Sequence, residues 1–190
     1  SNGALPEQLT IAMMCRDARN LYIAFRCEDA DIWSDFRRRD EHLWENEVVE
    51  AFIDTDKDPR TYFEFEVSPR NVVWDGRITN PGDRGPGINI DSAWNCEGLR
   101  TDVSVIGDVD NRTDRDLRWT VEMAIPFRSI SVGGRTPKPG ESWRINLFRV
   151  ERLRAEGKPV EAATELSAWS PTFLDPPDFH VPSRFGFLDF

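Results

Sequence analysis

The chain reads as an all-β protein, an antiparallel β-sandwich of immunoglobulin-like or jelly-roll-like form, on three observations. Apolar residues alternate with polar ones in short runs, as half-buried strands require. Clusters of Gly, Pro, Asn and Asp separate the runs and favour turns. Helical periodicity is nearly absent, so no crossover helices exist to build a parallel sheet. The 190 residues suit a single domain, 1–190, that can bury a core without disulfides.

The elements follow in order. Leu9, Ile11, Met13 and Cys15 alternate, and after Asp17-Ala18-Arg19-Asn20 the pattern resumes with Leu21, Ile23, Phe25 and Cys27. This predicts a hairpin with one buried face. The connection 29–41, with Arg37-Arg38-Arg39-Asp40, is too polar for core and too long for a simple turn. Loops of that length are often functional. A strand is predicted over 48–54, and a turn at Asp54-Thr55-Asp56-Lys57-Asp58-Pro59. Residues 62–67 set Phe63, Phe65 and Val67 against Tyr62, Glu64 and Glu66. A strand over 71–78 precedes a Gly- and Pro-rich loop, 79–87. Further strands are predicted at 93–96, 99–106 and 118–125, and in the last of these Trp119, Val121, Met123 and Ile125 share a face. Pro126-Phe127-Arg128-Ser129-Ile130 ends that strand and starts a short helical turn. Strands at 143–151, 167–169 and 184–190 complete the set.

Composition narrows the function. A formal net charge of −10 argues against nucleic acid, whose phosphates need a basic surface, and against an anionic membrane. No run of about 20 apolar residues is present, so no membrane span is expected. No signal peptide is visible in the sequence. Three cysteines cannot all pair. Matching apolar faces places Cys15 near Leu21 or Ile23 and Cys27 opposite Leu9, so their sulfurs stand roughly 20 Å apart. All three are expected to be free thiols packed as small apolar residues. Cys-based metal binding is not expected, for no C-x-x-C spacing occurs.

Two stretches at opposite ends of the chain carry the strongest functional signal. They are His42-Leu43-Trp44-Glu45-Asn46-Glu47-Val48-Val49-Glu50-Ala51-Phe52-Ile53-Asp54 and Phe179-His180-Val181-Pro182-Ser183-Arg184-Phe185-Gly186. Each sets a ring just outside a strand, with polar groups beside it. A ring suits the apolar C–H face of a pyranose, and Glu, Asn, Arg or His can pair with its hydroxyls. An apolar slot with a few convergent polar groups is the general form of a small-ligand site. Were Trp44 and Phe179 ordinary core aromatics, they would be buried instead.

The first stretch follows the pattern W-x-x-D-x-V-E-x-F-I-D, with Glu47 at the Asp position, and the second follows aromatic-x-x-P-S-x-F-G. Together they resemble the two sides of the sugar clamp in family 9 carbohydrate-binding modules. Between them, residues 119–127 resemble the family's V-E-A-A-I strand. Trp143-Arg144-Ile145-Asn146-Leu147 resembles its G-F-N-I strand, and Ser167-Ala168-Trp169-Ser170 its S-W-S turn. The likeness runs in order through most of the chain.

This resemblance implies non-catalytic binding of a mono- or oligosaccharide between Trp44 and Phe179, with the rings about 7 to 9 Å apart. Glu50 would accept from sugar hydroxyls, with His42, His180 and Glu66 beside it. It also implies a secreted or periplasmic setting in polysaccharide degradation, next to a glycoside hydrolase domain or partner. No cofactor is required beyond a possible structural calcium, and the family's N-terminal segment is expected to be missing. Three positions depart from the family's tight cellobiose binders: Glu66 replaces an Arg, Phe148 a Gln and Pro176 an Asn. Either a different sugar is bound, or tight binding has been lost.

Other readings start from other residues. Glu64 and Glu66 share a strand face roughly 7 Å apart, a spacing compatible with a glycosidase pair. A solvated strand face is the plainer account, and no G-x-S-x-G, H-E-x-x-H or P-loop pattern appears. Calcium could sit at Asp54-Thr55-Asp56-Lys57-Asp58, which lacks the Gly and distal Glu of an EF-hand, or at Glu28-Asp29-Ala30-Asp31. The wider DOMON-like superfamily that the resemblance brings in includes haem carriers, and His42 and His180 are the only histidines available as axial ligands. A scaffold used only for protein contacts is a further alternative.

Overall fold

Period-two alternation sends successive side chains to opposite sheet faces, and the core follows from it. In the computed structural model, which describes residues 2–82, 87–111, 113, 115–155 and 158–190 (side chains of 154–163 excepted), two antiparallel sheets pack face to face. The strands are β1 Thr10–Arg16, β2 Asn20–Glu28, β3 Val48–Asp54, β4 Thr61–Val67, β5 Val73–Thr79, β6 Asn89–Asp91, β7 Arg100–Ile106, β8 Arg118–Pro126, β9 Ser142–Ala155, β10 Lys158–Ala168 and β11 Gly186–Asp189. One short helix, α1 Phe127–Ile130, follows β8. The smaller sheet has the order β1-β2-β8-β7. The larger runs β10-β9-β3-β4-β5-β6, and β11 pairs with the first residues of β9.

Between the sheets lie Leu21, Ile23 and Phe25 of β2, the Trp119, Val121, Met123 and Ile125 face of β8, and Val49, Ala51 and Ile53 of β3. Phe65 and Val67 of β4, with Ile145 and Leu147 of β9, complete this layer. A second apolar cluster covers the outer face of the larger sheet. It contains Leu43, Val48, Phe52, Tyr62, Trp74, Phe148, Val150 and Phe185. β3 is therefore buried at all seven positions, on both faces. The outer cover comes from the 3₁₀ turn Leu43–Glu45 and from the segment leading into β11.

Four expectations are corrected. The phase of β1 is reversed: Ala12 and Met14 lie opposite Phe25 and Ile23, whereas Leu9, Ile11, Met13 and Cys15 are exposed. Cys15 pairs with Tyr22, between the two partners expected for it, and a one-residue slip of register turns every side chain over. Cys15 is thus not a packed apolar residue. Secondly, the connection 29–41 is not wholly excluded from the core. Ile32, Trp33 and Ser34 are fully buried, because carboxylates on other segments accept their backbone N–H groups. Thirdly, 93–96 is not a strand. Trp94 instead caps Phe63 from a turn, and the neighbouring strand is β6. Finally, the expected loop at 79–87 begins as strand, with Thr79 ending β5, and its residues 83–86 lie outside the described residues.

The sheets are tied by a buried guanidinium. Arg149 of β9 is 1% exposed and donates to Thr10 Oγ1 at 3.3 Å, the Glu28 carbonyl at 2.9 Å and Asp29 Oδ2 at 3.0 Å, and also to Glu151. Trp119 Nε1 donates to the same Asp29 oxygen at 3.1 Å. Glu47 accepts the backbone N–H of Trp33 at 3.2 Å beside this group. Burial raises the carboxyls of Asp29, Glu47 and Glu151, with Glu151 pushed up to about 8.

Two predictions follow from this packing. Arg149→Met leaves buried carboxylates uncompensated and is expected to cost about 3–5 kcal/mol at pH 7.5. The cost should shrink at pH 5, where those carboxyls take up protons; equal urea-unfolding losses at both pH values would contradict this. A native thiol titration should find one reactive group, Cys15, and a denatured one three. Burial pushes the Cys27 and Cys96 thiols up to about 12, and none of the three is paired.

Candidate functional site

Registers on the outer face of the larger sheet build the site. Phe148 lies opposite Glu50, Glu50 opposite Glu66, and Glu66 opposite Trp74. These four side chains form one row across β9, β3, β4 and β5. Three interstrand spacings separate its aromatic ends, about 14 Å in all. The next row, Asn146–Phe52–Glu64–Gly76, lies on the same face. Gly76 is required there, because a Cβ would come within 2.6 Å of the Trp74 ring.

Trp44 and Phe179 stand at the two ends of the first row. Trp44 meets Trp74 edge-on at 6.0 Å and stacks on His42 at 4.6 Å. Phe179 stacks on Phe148 at 4.1 Å and 16°. The structure therefore brings the two predicted rings, far apart in sequence, to one face of one sheet. Trp44 is 37% exposed, and Phe179 is half-buried. Arg152 of β9 holds the Trp44 turn through two bonds to the Trp44 carbonyl, at 3.0 and 2.9 Å.

His180 follows Phe179 and closes the lower side. Its Nδ1 is 2.8 Å from the Tyr62 hydroxyl, and its ring lies 5.2 Å from that of Phe52. Asn80 Nδ2 donates to the His180 carbonyl at 3.1 Å, and Arg144 donates to the Ser183 and Phe185 carbonyls. The closing segment is pinned through its backbone, like the Trp44 turn. His42 is exposed and near Glu45, with Nδ1 3.4 Å from that carboxylate. As axial haem ligands, His180 would have to give up the Tyr62 contact, and His42 its stacking on Trp44.

The floor corrects the reading of Glu64 and Glu66 as a solvated face. Glu50, Glu64 and Glu66 are 3%, 5% and 1% exposed, because the Trp44 turn and the closing segment cover the sheet. Burial raises all three carboxyls, those of Glu50 and Glu66 well above the usual range. Mutual repulsion adds to the rise at Glu50 and Glu66. Arg152 opposes it at Glu50, and His180 at Glu64. When protonated, Glu66 donates to Glu64. Sequence reasoning missed Trp74, Phe52 and Tyr62 as walls; the signal was present as aromatic residues on the polar-reading faces of β3, β4 and β5.

The family model for carbohydrate-binding family 9 matches residues 8–190. The chain belongs to carbohydrate-binding family 9. A curated relative from Arthroderma benhamiae, named "Extracellular protein", is 29% identical over 184 residues, covering 95% of this chain and 78% of the relative. A solved structure from Bacteroides uniformis, of a candidate carbohydrate-binding protein, superposes with a TM-score of 0.74 at 20% identity over 96% of this chain and 78% of that one. Two structures of a family 9 module from Caldicellulosiruptor kristjanssonii, in complex with glucose and with cellotriose, give TM-scores of 0.62 and 0.60 at 14% identity. Both cover 98% of this chain, and 78% and 77% of theirs. These solved structures share the family 9 sandwich fold with the chain.

Calcium finds a suitable donor set at one of the two acidic loops. At Asp29, Glu47 and Glu151 a guanidinium already fills the cationic position, so those residues do not suit an ion. At Asp54, Asp56 and Asp58 one oxygen from each converges. Asp54 Oδ2 is buried with no hydrogen-bond donor among the described residues, and burial pushes that carboxyl up to about 6. An all-oxygen set of this kind suits calcium.

The floor carboxyls set a pH dependence. A raised carboxyl holds a proton in the folded state that the unfolded chain has already shed. Its stabilising contribution therefore falls as pH rises from the ordinary carboxylate range through the folded value. Glu66→Gln keeps the shape and removes the charge, so its stability relative to the parent should rise from pH 5 to pH 8. Urea midpoints at both pH values check this, and a falling advantage would contradict it.

Proposed function

We propose that this family 9 module binds a pyranose ring between Trp44 and Phe179 and performs no chemistry on it. The observation that carries the reading is an exposed tryptophan and a second ring bordering one row of buried acceptors, each held in place through its backbone. Apolar walls take the C–H face of the sugar while Glu50, Glu64 and Glu66 accept hydrogen bonds from its hydroxyls. His180, held through Tyr62 and Asn80, borders the lower rim, and His42 supports the Trp44 ring. The glucose and cellotriose complexes of the related modules support a β-glucan fragment as the first ligand to try. The Extracellular protein relative supports a role outside the cell; a place beside a glycoside hydrolase in polysaccharide degradation is what the family likeness suggests.

A glycosidase pairing of Glu64 and Glu66 is disfavoured by the same geometry. Both lie on one strand in the floor and share a proton, whereas an acid and a base or nucleophile must flank the scissile bond.

Trp44→Ala is the decisive variant. Its ring is exposed, and the turn is held through the Trp44 carbonyl, which the substitution keeps. Calorimetric titration with cellotriose should show a loss of about 30-fold or more, the scale of a hot-spot aromatic. Unfolding stability should change by no more than about 1 kcal/mol. Unfolding of the variant, or unchanged binding, would overturn the reading.

A further inference from the structure

We propose that the slot prefers an amino sugar, a pyranose carrying a protonated amine, over neutral and acidic sugars; this rests on the slot being a sugar site. Glu50 and Glu66 face each other across neighbouring strands, and Glu64 stands two residues from Glu66 on the same face. Like charges placed directly opposite on a sheet repel. All three are more than nine-tenths buried, and beyond the contact of Glu66 with Glu64, Glu64 Oε2 and Glu66 Oε2 have no hydrogen-bond donor among the described residues. A buried carboxylate oxygen left in this state is costly unless something pairs with it.

The groups that face this floor are already committed. From β9, Arg152 donates to the Trp44 carbonyl and to Thr164 Oγ1. From the closing segment, His180 is joined to Tyr62 of β4, and the tyrosine hydroxyl also lies 3.4 Å from Asn80 Nδ2. His42 is stacked on Trp44 and lies near Glu45. No lysine stands in the two rows of the floor. Nor is the triad a metal cluster. Among the described residues, the acidic groups of three whose oxygens converge are Asp29–Glu47–Glu151 and Asp54–Asp56–Asp58.

A ligand ammonium brings several N–H donors and a positive charge together, beyond the charge that Arg152 already places near Glu50. Bonds between an ionised donor and an ionised acceptor are about twice as strong as neutral ones. A neutral sugar supplies donors without charge, and a uronic acid adds a further carboxylate to three that already repel. Seating the ammonium favours ionised carboxylates, so binding of the amine should release protons from the floor.

The test is calorimetry at pH 6.5 in two buffers of different ionisation enthalpy. The ligands are the β-1,4-linked glucosamine dimer, its N-acetylated counterpart and cellobiose. The glucosamine dimer should bind tighter than either neutral dimer by about tenfold, the ratio one charge-assisted bond supplies, and should release protons. Cellobiose should release none. Glu66→Gln should narrow the preference to within about threefold; Glu64→Gln serves the same purpose if the first variant does not fold. Equal binding of amine and neutral dimers, with both lost in Trp44→Ala, would overturn the amine preference and leave the sugar slot standing. No binding of any sugar would overturn both. An amine preference that survives Trp44→Ala, or survives both glutamine variants, would place the attraction in the overall negative charge and overturn the proposal.

Discussion

The Arg149 guanidinium is the contact on which the sandwich is hung. It reaches from the inner face of the larger sheet to β1, to the end of β2 and to the loop that starts at Asp29. Asp29 in turn holds the Trp119 indole of β8. One side chain therefore fixes the spacing of β9 against strands of the other sheet. A buried ion pair is weak evidence for stability by itself, since desolvation offsets its attraction. Here its two terminal nitrogens meet two carbonyl or hydroxyl oxygens as well as two carboxylates, which limits the desolvation cost, while Nε has no partner among the described residues. What it adds to apolar packing is a defined register between the layers.

The two faces of β9 treat acid differently, and that difference bears on function. Arg149 on the inner face neutralises the carboxylates around it. On the outer face, Arg152 donates to the Trp44 carbonyl and to Thr164, and its charge offsets part of the rise at Glu50, while Glu64 Oε2 and Glu66 Oε2 have no hydrogen-bond donor among the described residues. Burying three acidic groups is unfavourable for folding, and the apolar packing on both faces of β3 offsets that cost. Strain or unmet hydrogen bonding of this kind is expected where a protein meets a ligand.

Much of this was legible in the sequence. The sandwich, most strand bounds and the core face of β8 follow from alternation, because Trp119, Val121, Met123 and Ile125 have one burial solution. The placement of Trp44 and Phe179 on one face was legible through the likeness to the family and not through periodicity. Burial of Glu64 and Glu66 was not legible. Alternation in β4 marks which residues share a face, and it cannot say whether a distant segment covers that face. The phase of β1 was misread for a related reason. An edge strand with apolar residues on both faces, Ile11 and Met13 on one and Ala12 and Met14 on the other, offers no contrast to choose between them.

Both rings of the slot are positioned by main-chain bonds from residues outside the slot. Arg152 bonds the carbonyl of Trp44; Asn80 bonds the carbonyl of His180; Arg144 bonds the carbonyls of Ser183 and Phe185. Side chains at the rim can then change without moving the backbone that presents them. The floor lies on β3 and β4, whose inner faces are locked in the core, so its geometry is set by the fold before any ligand arrives. A rigid floor and backbone-held rings cut the ordering cost of binding. That separation places ligand choice in a few side chains of the outer face and leaves stability to Arg149 and the layer beneath.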